Sequence, residues 1–188
     1  MWNTAGLDPE LIIDPQTKPA TEYILDEYVQ KMSPRGRHSF AQKWFTLQFD
    51  RMAEVSRRGR SGAEWDFLLT LPGESPKQLV PDIAFVSYAR LSYDDDDAAQ
   101  IPRIAPDVAV EILSPGDRRD VRLEKIRVYL AAGSELVMFV DPERETITMF
   151  DRLGERHLQG DASIEHPALP GLTCSVADVF RKPPPPID

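Results

Sequence analysis

The chain has 188 residues, 41% of them hydrophobic and 28% charged, with a formal net charge of −9. That length suits one domain burying roughly 70% of its unfolded surface, and the acidic balance excludes a non-specific nucleic-acid coat. Cys174 is the only cysteine, which excludes an internal disulfide. No apolar run approaches the ~20 residues that cross a bilayer. The first residues lack the basic start and apolar core of a signal peptide, so a cytoplasmic location is expected.

Residues 1–20 carry Pro9, Pro15 and Pro19 with little periodicity and read as an irregular arm. The stretch 21–32 alternates loosely and reads as a hairpin turning near Asp26 and Glu27, followed by a Ser-Pro-Arg-Gly-Arg loop. Phe40, Trp44, Phe45, Leu47, Phe49 and Met52 recur at three- and four-residue steps, predicting a helix over 39–55. Strands are expected at 64–71 and 79–87, with the four acids of 94–97 in a solvated loop that lacks calcium-loop spacing. A nearly continuous apolar run at 104–113 predicts a strand buried on both faces, and 117–132 reads as a helix closed by Gly133. Residues 136–140 form a central-type strand. Edge strands follow around Gly154 and Gly160, then a short helix at 176–180 and a proline tail over 183–188. Strands alternating with helices after an initial helix indicate an α/β or α+β sheet with mixed strands in a single domain over 21–182.

Charge is unevenly spread. Residues 31–60 hold eight bases against Asp50 and Glu54, and a second basic group, Arg118, Arg119, Arg122, Lys125 and Arg127, follows the 104–113 strand. The part of the first stretch from Arg35 to Arg60, including Arg57, Arg58 and Arg60, rather than the acidic 94–97 loop, is expected to face nucleic acid. Two carboxylates stand inside apolar strand-like runs, Asp82 in Val80-Pro81-Asp82-Ile83-Ala84-Phe85-Val86 and Glu111 in Val108-Ala109-Val110-Glu111-Ile112-Leu113. Desolvating such groups is costly unless a cation or hydrogen bonds answer them. Strand alternation puts Asp107, Ala109 and Glu111 on one face, and Asp82 with Ala84 and Val86 on another. If the two strands are neighbours, the alanines leave room for an ion beside Asp82 and Glu111. Carboxylate oxygens with the Ile112 carbonyl suit Mg²⁺ or Mn²⁺ rather than zinc, and a nearby lysine would serve the attacking water. Ser114 is expected to cap the following turn, with a hydrogen bond to the site as the alternative.

The ordered series of these motifs resembles the Uma family of restriction endonucleases, a branch of the PD-(D/E)XK nuclease superfamily. The resemblance spans about residues 21–180. It includes Thr21-Glu22-Tyr23-Ile24, Met32-Ser33-Pro34 with His38, the Asp82 and Glu111 runs, and Lys125 with Tyr129 and Gly133. Val140-Asp141-Pro142 and Leu169-Pro170-Gly171-Leu172 extend it downstream. The resemblance implies a restriction-endonuclease-like core, a mixed sheet flanked by helices, with Asp82 and Glu111 as the acidic pair. Leu113 stands where the superfamily motif has lysine, and Lys125 on the next helix takes that role, its ammonium expected near both carboxylates. Glu22, His38 and Asp107 are candidate accessory residues. The function implied is a Mg²⁺- or Mn²⁺-dependent endonuclease acting on DNA, with a homodimer suited to cutting both strands. The acidic net charge keeps two alternatives open: a non-catalytic interaction module of the same fold, and a nuclease subunit that borrows DNA affinity from a partner.

Overall fold

The computed structural model describes residues 19–182; the expected N-terminal arm up to residue 18 and the proline tail lie outside them. The chain opens with a hairpin, β1 (Thr21–Ile24) and β2 (Glu27–Gln30). Leu25 and Asp26 turn it with φ of 55° and 58°, two successive left-handed residues that match the twist of the strands. Then comes the long helix α1 (Gly36–Ser56), followed by β3 (Gly59–Ala63), β4 (Phe67–Leu69), β5 (Lys77–Leu79) and β6 (Ile83–Ser87). A short helix α2 (Asp96–Gln100) precedes β7 (Val108–Ile112), α3 (Arg119–Ala131) and β8 (Leu136–Asp141). The edge hairpin β9 (Thr146–Asp151) and β10 (Gly154–Gln159), with α4 (Val176–Phe180), completes the fold.

The main sheet runs β10-β9-β8-β7-β6-β3, and a smaller one runs β2-β1-β5-β4. In the main sheet β7 and β8 are parallel, joined by the α3 crossover, and the other neighbours are antiparallel. The mixed sheet flanked by helices is therefore present as expected.

Alternation along the central strands builds two cores. Ile83, Phe85, Val108, Val110, Ile112, Met138 and Val140 face Phe45, Phe49 and Met52 of α1 on one side. Ala84, Val86, Ala109, Val137 and Phe139 face Val128 and Tyr129 of α3, together with Ile24, Phe67 and Leu79 of the small sheet, on the other. Each fully buried aromatic or aliphatic side chain contributes roughly 1.5–3 kcal/mol.

Several expected elements differ in detail. The strand expected at 64–71 shortens to β4, and β3 forms ahead of it; between them Glu64 takes a left-handed φ of 50° and the chain changes sheets. The 79–87 strand also divides. Pro81 has no N–H to give to a ladder, and the chain passes at Val80-Pro81-Asp82 from β5 in the small sheet to β6 in the main one. The acids near 94–97 do not stay in a loop: Asp95 caps α2 by accepting from the Ala98 N–H at 2.9 Å, with Asp96 and Asp97 in its first turn. Among the described residues no helix is long and apolar enough to cross a membrane.

Candidate active site

The sheet crossing at Pro81 sets Asp82 immediately before β6. The β6–β7 register pairs Ile83 with Val110 and Ala84 with Ala109, and one further step brings Asp82 opposite Glu111 at the end of the ladder. The Ile112 N–H donates to Asp82 Oδ2 at 2.6 Å, tying the two strand ends together. Both carboxylates face the small-sheet side, where the small side chains of Ala84 and Ala109 leave room.

Glu22 arrives from that second sheet. On β1 it shares the inner face with Ile24, its Oε1 accepts from the Val80 N–H at 2.8 Å, and its Oε2 lies 2.7 Å from the Lys125 ammonium. On α3 the buried residues are Val121, Lys125, Val128 and Tyr129, one face at three- and four-residue steps, so packing the helix on the sheet carries Lys125 inward. Lys125 Nζ donates to Glu111 Oε2 at 2.8 Å, and the Tyr129 hydroxyl donates to Glu111 Oε1 at 3.0 Å.

His38, near the start of α1, stands with Nε2 3.5 Å from Asp82 Oδ1, while its Nδ1 lies 3.1 Å from Ser114 Oγ. The expectation for Ser114 was a turn cap. In the structure its hydroxyl is spent on His38, and Asp117 makes the turn by accepting from the Ser114 N–H at 2.6 Å.

One expected placement needs correction. Asp107 shares the Glu111 face but sits at the far end of β7. There it accepts from the Ser87 N–H at 2.6 Å and its hydroxyl at 3.2 Å, with Arg90 3.8 Å away, and it does not line the site cavity. Lys125 forms its ion pairs with Glu111 and Glu22, while the ammonium bound to Asp82 belongs to Lys31, 2.7 Å from Oδ1. Lys31 follows β2 and also donates to the Val80 carbonyl at 2.8 Å. It belongs to the basic 31–60 stretch by sequence, yet its side chain is only 15% exposed.

Arg57, Arg58 and Arg60 follow the far end of α1, about 28 Å along its axis from His38. Arg60 is held there by Asp96, by the Ser92 and Tyr93 carbonyls, and by the face of Tyr88. The arginines beside the carboxylates are instead Arg118 and Arg122.

A cavity of about 150 Å³ is bounded by Glu22, Lys31, Asp82, Glu111, Arg122 and Lys125, roughly ten times what one water needs. Arg118 is already paired with Glu27 and Asp120. The buried Nε of Arg122 has no hydrogen-bond partner. Such a donor is costly to leave unanswered.

The electrostatics separate the two central acids. Burial would push Asp82 up, but the Lys31 ammonium and His38 outweigh it and hold the carboxyl well below the usual range. Burial wins at Glu111, which is pushed up to about 7 in spite of Lys125 and Lys31. Lys125 is itself buried, yet Glu111 and Glu22 keep it firmly protonated, and burial beside Glu111 raises the Tyr129 phenol well above its ordinary value.

Among the described residues no three His, Cys, Asp or Glu side chains gather closely enough to grip an ion by themselves. The donor chemistry nonetheless fits a hard divalent cation. Three carboxylates face two ammoniums. Oxygen donors of this kind suit Mg²⁺ or Mn²⁺.

A solved structure from Anabaena variabilis ATCC 29413, titled as a putative nuclease belonging to DUF820, superposes with a TM-score of 0.80 at 27% identity. The match covers 91% of this chain and 95% of that one. No curated protein matches the chain. The Uma2 family model, described as "Putative restriction endonuclease", matches residues 9–177. On that match, supported by the shared fold, the chain belongs to the Uma2 family of nucleases.

Proposed function

We propose that this protein is a divalent-metal-dependent endonuclease that hydrolyses phosphodiester bonds of DNA at the cavity between Asp82, Glu111 and Lys125. The observation that carries the reading is the convergence of buried carboxylates and ammoniums from both sheets and α3 on one cavity, in a chain of a nuclease family. Asp82 and Glu111, with the Ile112 carbonyl, would hold Mg²⁺ or Mn²⁺. When bound, the ion supplies a Lewis acid for the phosphoryl group.

The chain's own groups do the rest. Lys125, braced by Glu22, offers N–H donors to the charge that builds on the phosphoryl oxygens. Arg122, whose buried Nε has no partner, would offer its guanidinium to a non-bridging oxygen. His38 and the Ile112 N–H fix the orientation of Asp82. In the reaction a water oxygen bonds to phosphorus, one P–O ester bond breaks, and the leaving oxygen takes up a proton.

Supercoiled plasmid incubated with Mg²⁺ or Mn²⁺ should be nicked and linearised by the wild type and left intact by Asp82→Asn and Glu111→Gln. Calorimetry on the same variants should show metal binding lost. Cleavage that survives both substitutions would rule out this site.

One observation favours a second reading, a subunit that becomes active only with a partner: Lys31 already holds Asp82. A protein that binds Mn²⁺ but leaves naked plasmid uncut would support it.

A further inference from the structure

Lys31 is bound as a cation is bound. Its ammonium lies 2.7 Å from Asp82 Oδ1 and 2.8 Å from the Val80 carbonyl. A carboxylate and a backbone carbonyl are the oxygen types that a hard divalent ion takes as ligands. We propose that Lys31 is an internal competitor for the metal position: its ammonium holds Asp82 in the metal-free protein and must withdraw before an ion takes that oxygen. Lys31 thereby sets the metal affinity of the site. The proposal rests on the metal reading above.

Charge supports it. With Lys31 in place, the carboxylates of Glu22, Asp82 and Glu111 are balanced by Lys31, Lys125 and the Arg122 guanidinium that lines the same cavity. Withdrawal of Lys31 leaves one net negative charge and frees Asp82 Oδ1 to take an ion. The chain position supports it as well. Lys31 stands one residue past β2, and residues 32–35 that follow are exposed and without regular structure. A four-carbon stem there can swing towards solvent without disturbing a core. Lys125 has no such freedom, because it lies on the buried face of α3 between Val121 and Val128. The two lysines thus divide the work: Lys125 is fixed to Glu22 and Glu111, while Lys31 is exchangeable.

The test is Mn²⁺ binding by calorimetry on the full chain, comparing wild type with Lys31→Met and Lys31→Gln. The variants should bind Mn²⁺ at least tenfold more tightly than wild type, and Mn²⁺ should raise their melting temperatures by more. Because Asp82 loses its counterion in these variants, the metal-free forms could fail to fold, so a second measurement uses the wild type alone. The side-chain NMR signal of Lys31, followed through a Mg²⁺ titration, should shift in step with binding. Unchanged affinity in a folded variant, or a Lys31 signal that stays fixed while metal saturates, overturns the proposal and leaves the metal reading standing. Absence of Mn²⁺ binding in wild type and both variants overturns the two together.

Discussion

Replacing Lys125 with methionine keeps the side-chain length and removes the cation between two buried carboxylates. Nζ lies 2.7 Å from Glu22 Oε2 and 2.8 Å from Glu111 Oε2, with all three side chains almost sealed from solvent. Even with that ammonium present, burial pushes Glu111 up to about 7. Without it, at pH 8 the fold must bury two anions facing each other or protonate them. Removing one partner of a buried pair costs about 3–5 kcal/mol. At roughly 2–4 °C per kcal/mol for a chain of this size, the melting midpoint should fall by about 6–20 °C. The pH dependence has a definite sign. A carboxyl whose folded pKa is raised costs nothing below its unfolded value of about 4.3, and the cost grows as pH rises above it. The gap between wild type and Lys125→Met should therefore be widest at pH 8 and narrow towards pH 5, as followed by circular dichroism melts. Adding Glu111→Gln to the variant should recover part of the loss at pH 8. Equal midpoints at pH 8, or a gap that stays constant with pH, would refute the role of Lys125 as counterion to these acids.

Arg122→Ala should lower kcat/KM for plasmid cleavage at least tenfold and reduce the salt slope of DNA binding by about one unit. Reversing Arg57 and Arg58 to glutamate should change cleavage less than Arg122→Ala does, and the opposite ranking would move the DNA path to the far end of α1. Gly59→Ala should cost about 1–3 kcal/mol in urea denaturation, because a Cβ there runs into the Val86 carbonyl and the Phe85 ring; an unchanged midpoint would mean that β3 can shift aside. Burial, with Asp178 nearby, pushes the Cys174 thiol up to about 11. Iodoacetamide at pH 8 should therefore label it roughly two-hundred-fold more slowly than free cysteine, and labelling at the free rate would show that the thiol is open to solvent.

The central frame was legible because it is written in periodicities. Nearly continuous apolar runs at 83–86 and 108–112 mark strands buried on both faces, and the observed cores divide those residues between α1 on one side and α3 on the other. The Phe45 and Phe49 spacing marks α1, and Gly133, with φ of 102°, follows α3 at the position where a left-handed residue is needed. The small sheet was less legible. Its strands β4 and β5 have three residues each, too few for alternation to register. The crossing from one sheet to the other at Pro81 reads in sequence as one continuous strand. On α3 Leu123 is half-exposed, while Lys125 occupies the inner face with Val121 and Val128. Hydrophobicity alone does not assign a lysine to a core, so the inner face of this helix was not legible from its apolar residues.

The site divides along the same line. Asp82 and Glu111 were legible because a carboxylate inside an apolar run is an energetic anomaly that requires a partner nearby. Lys31 carried no such mark: it sits among polar residues after a short hairpin, where a lysine is ordinary. What places it at the site is a contact 51 residues away in sequence, created when β1 pairs with β5 and draws the hairpin over the open end of the β6–β7 ladder. Arg122 was equally silent, since one arginine in a basic cluster differs from its neighbours only by what it fails to meet. Arg118 has Glu27 and Asp120, Arg127 has Glu74 and Glu124, and Arg122 Nε has none. Acids in the core announce themselves because their isolation is costly, whereas Lys31 comes from a polar segment after a hairpin and Arg122 from a basic cluster, where a base is ordinary. The acidic pair is thus readable from local sequence, and these two bases become readable only when the two sheets and α3 are placed together.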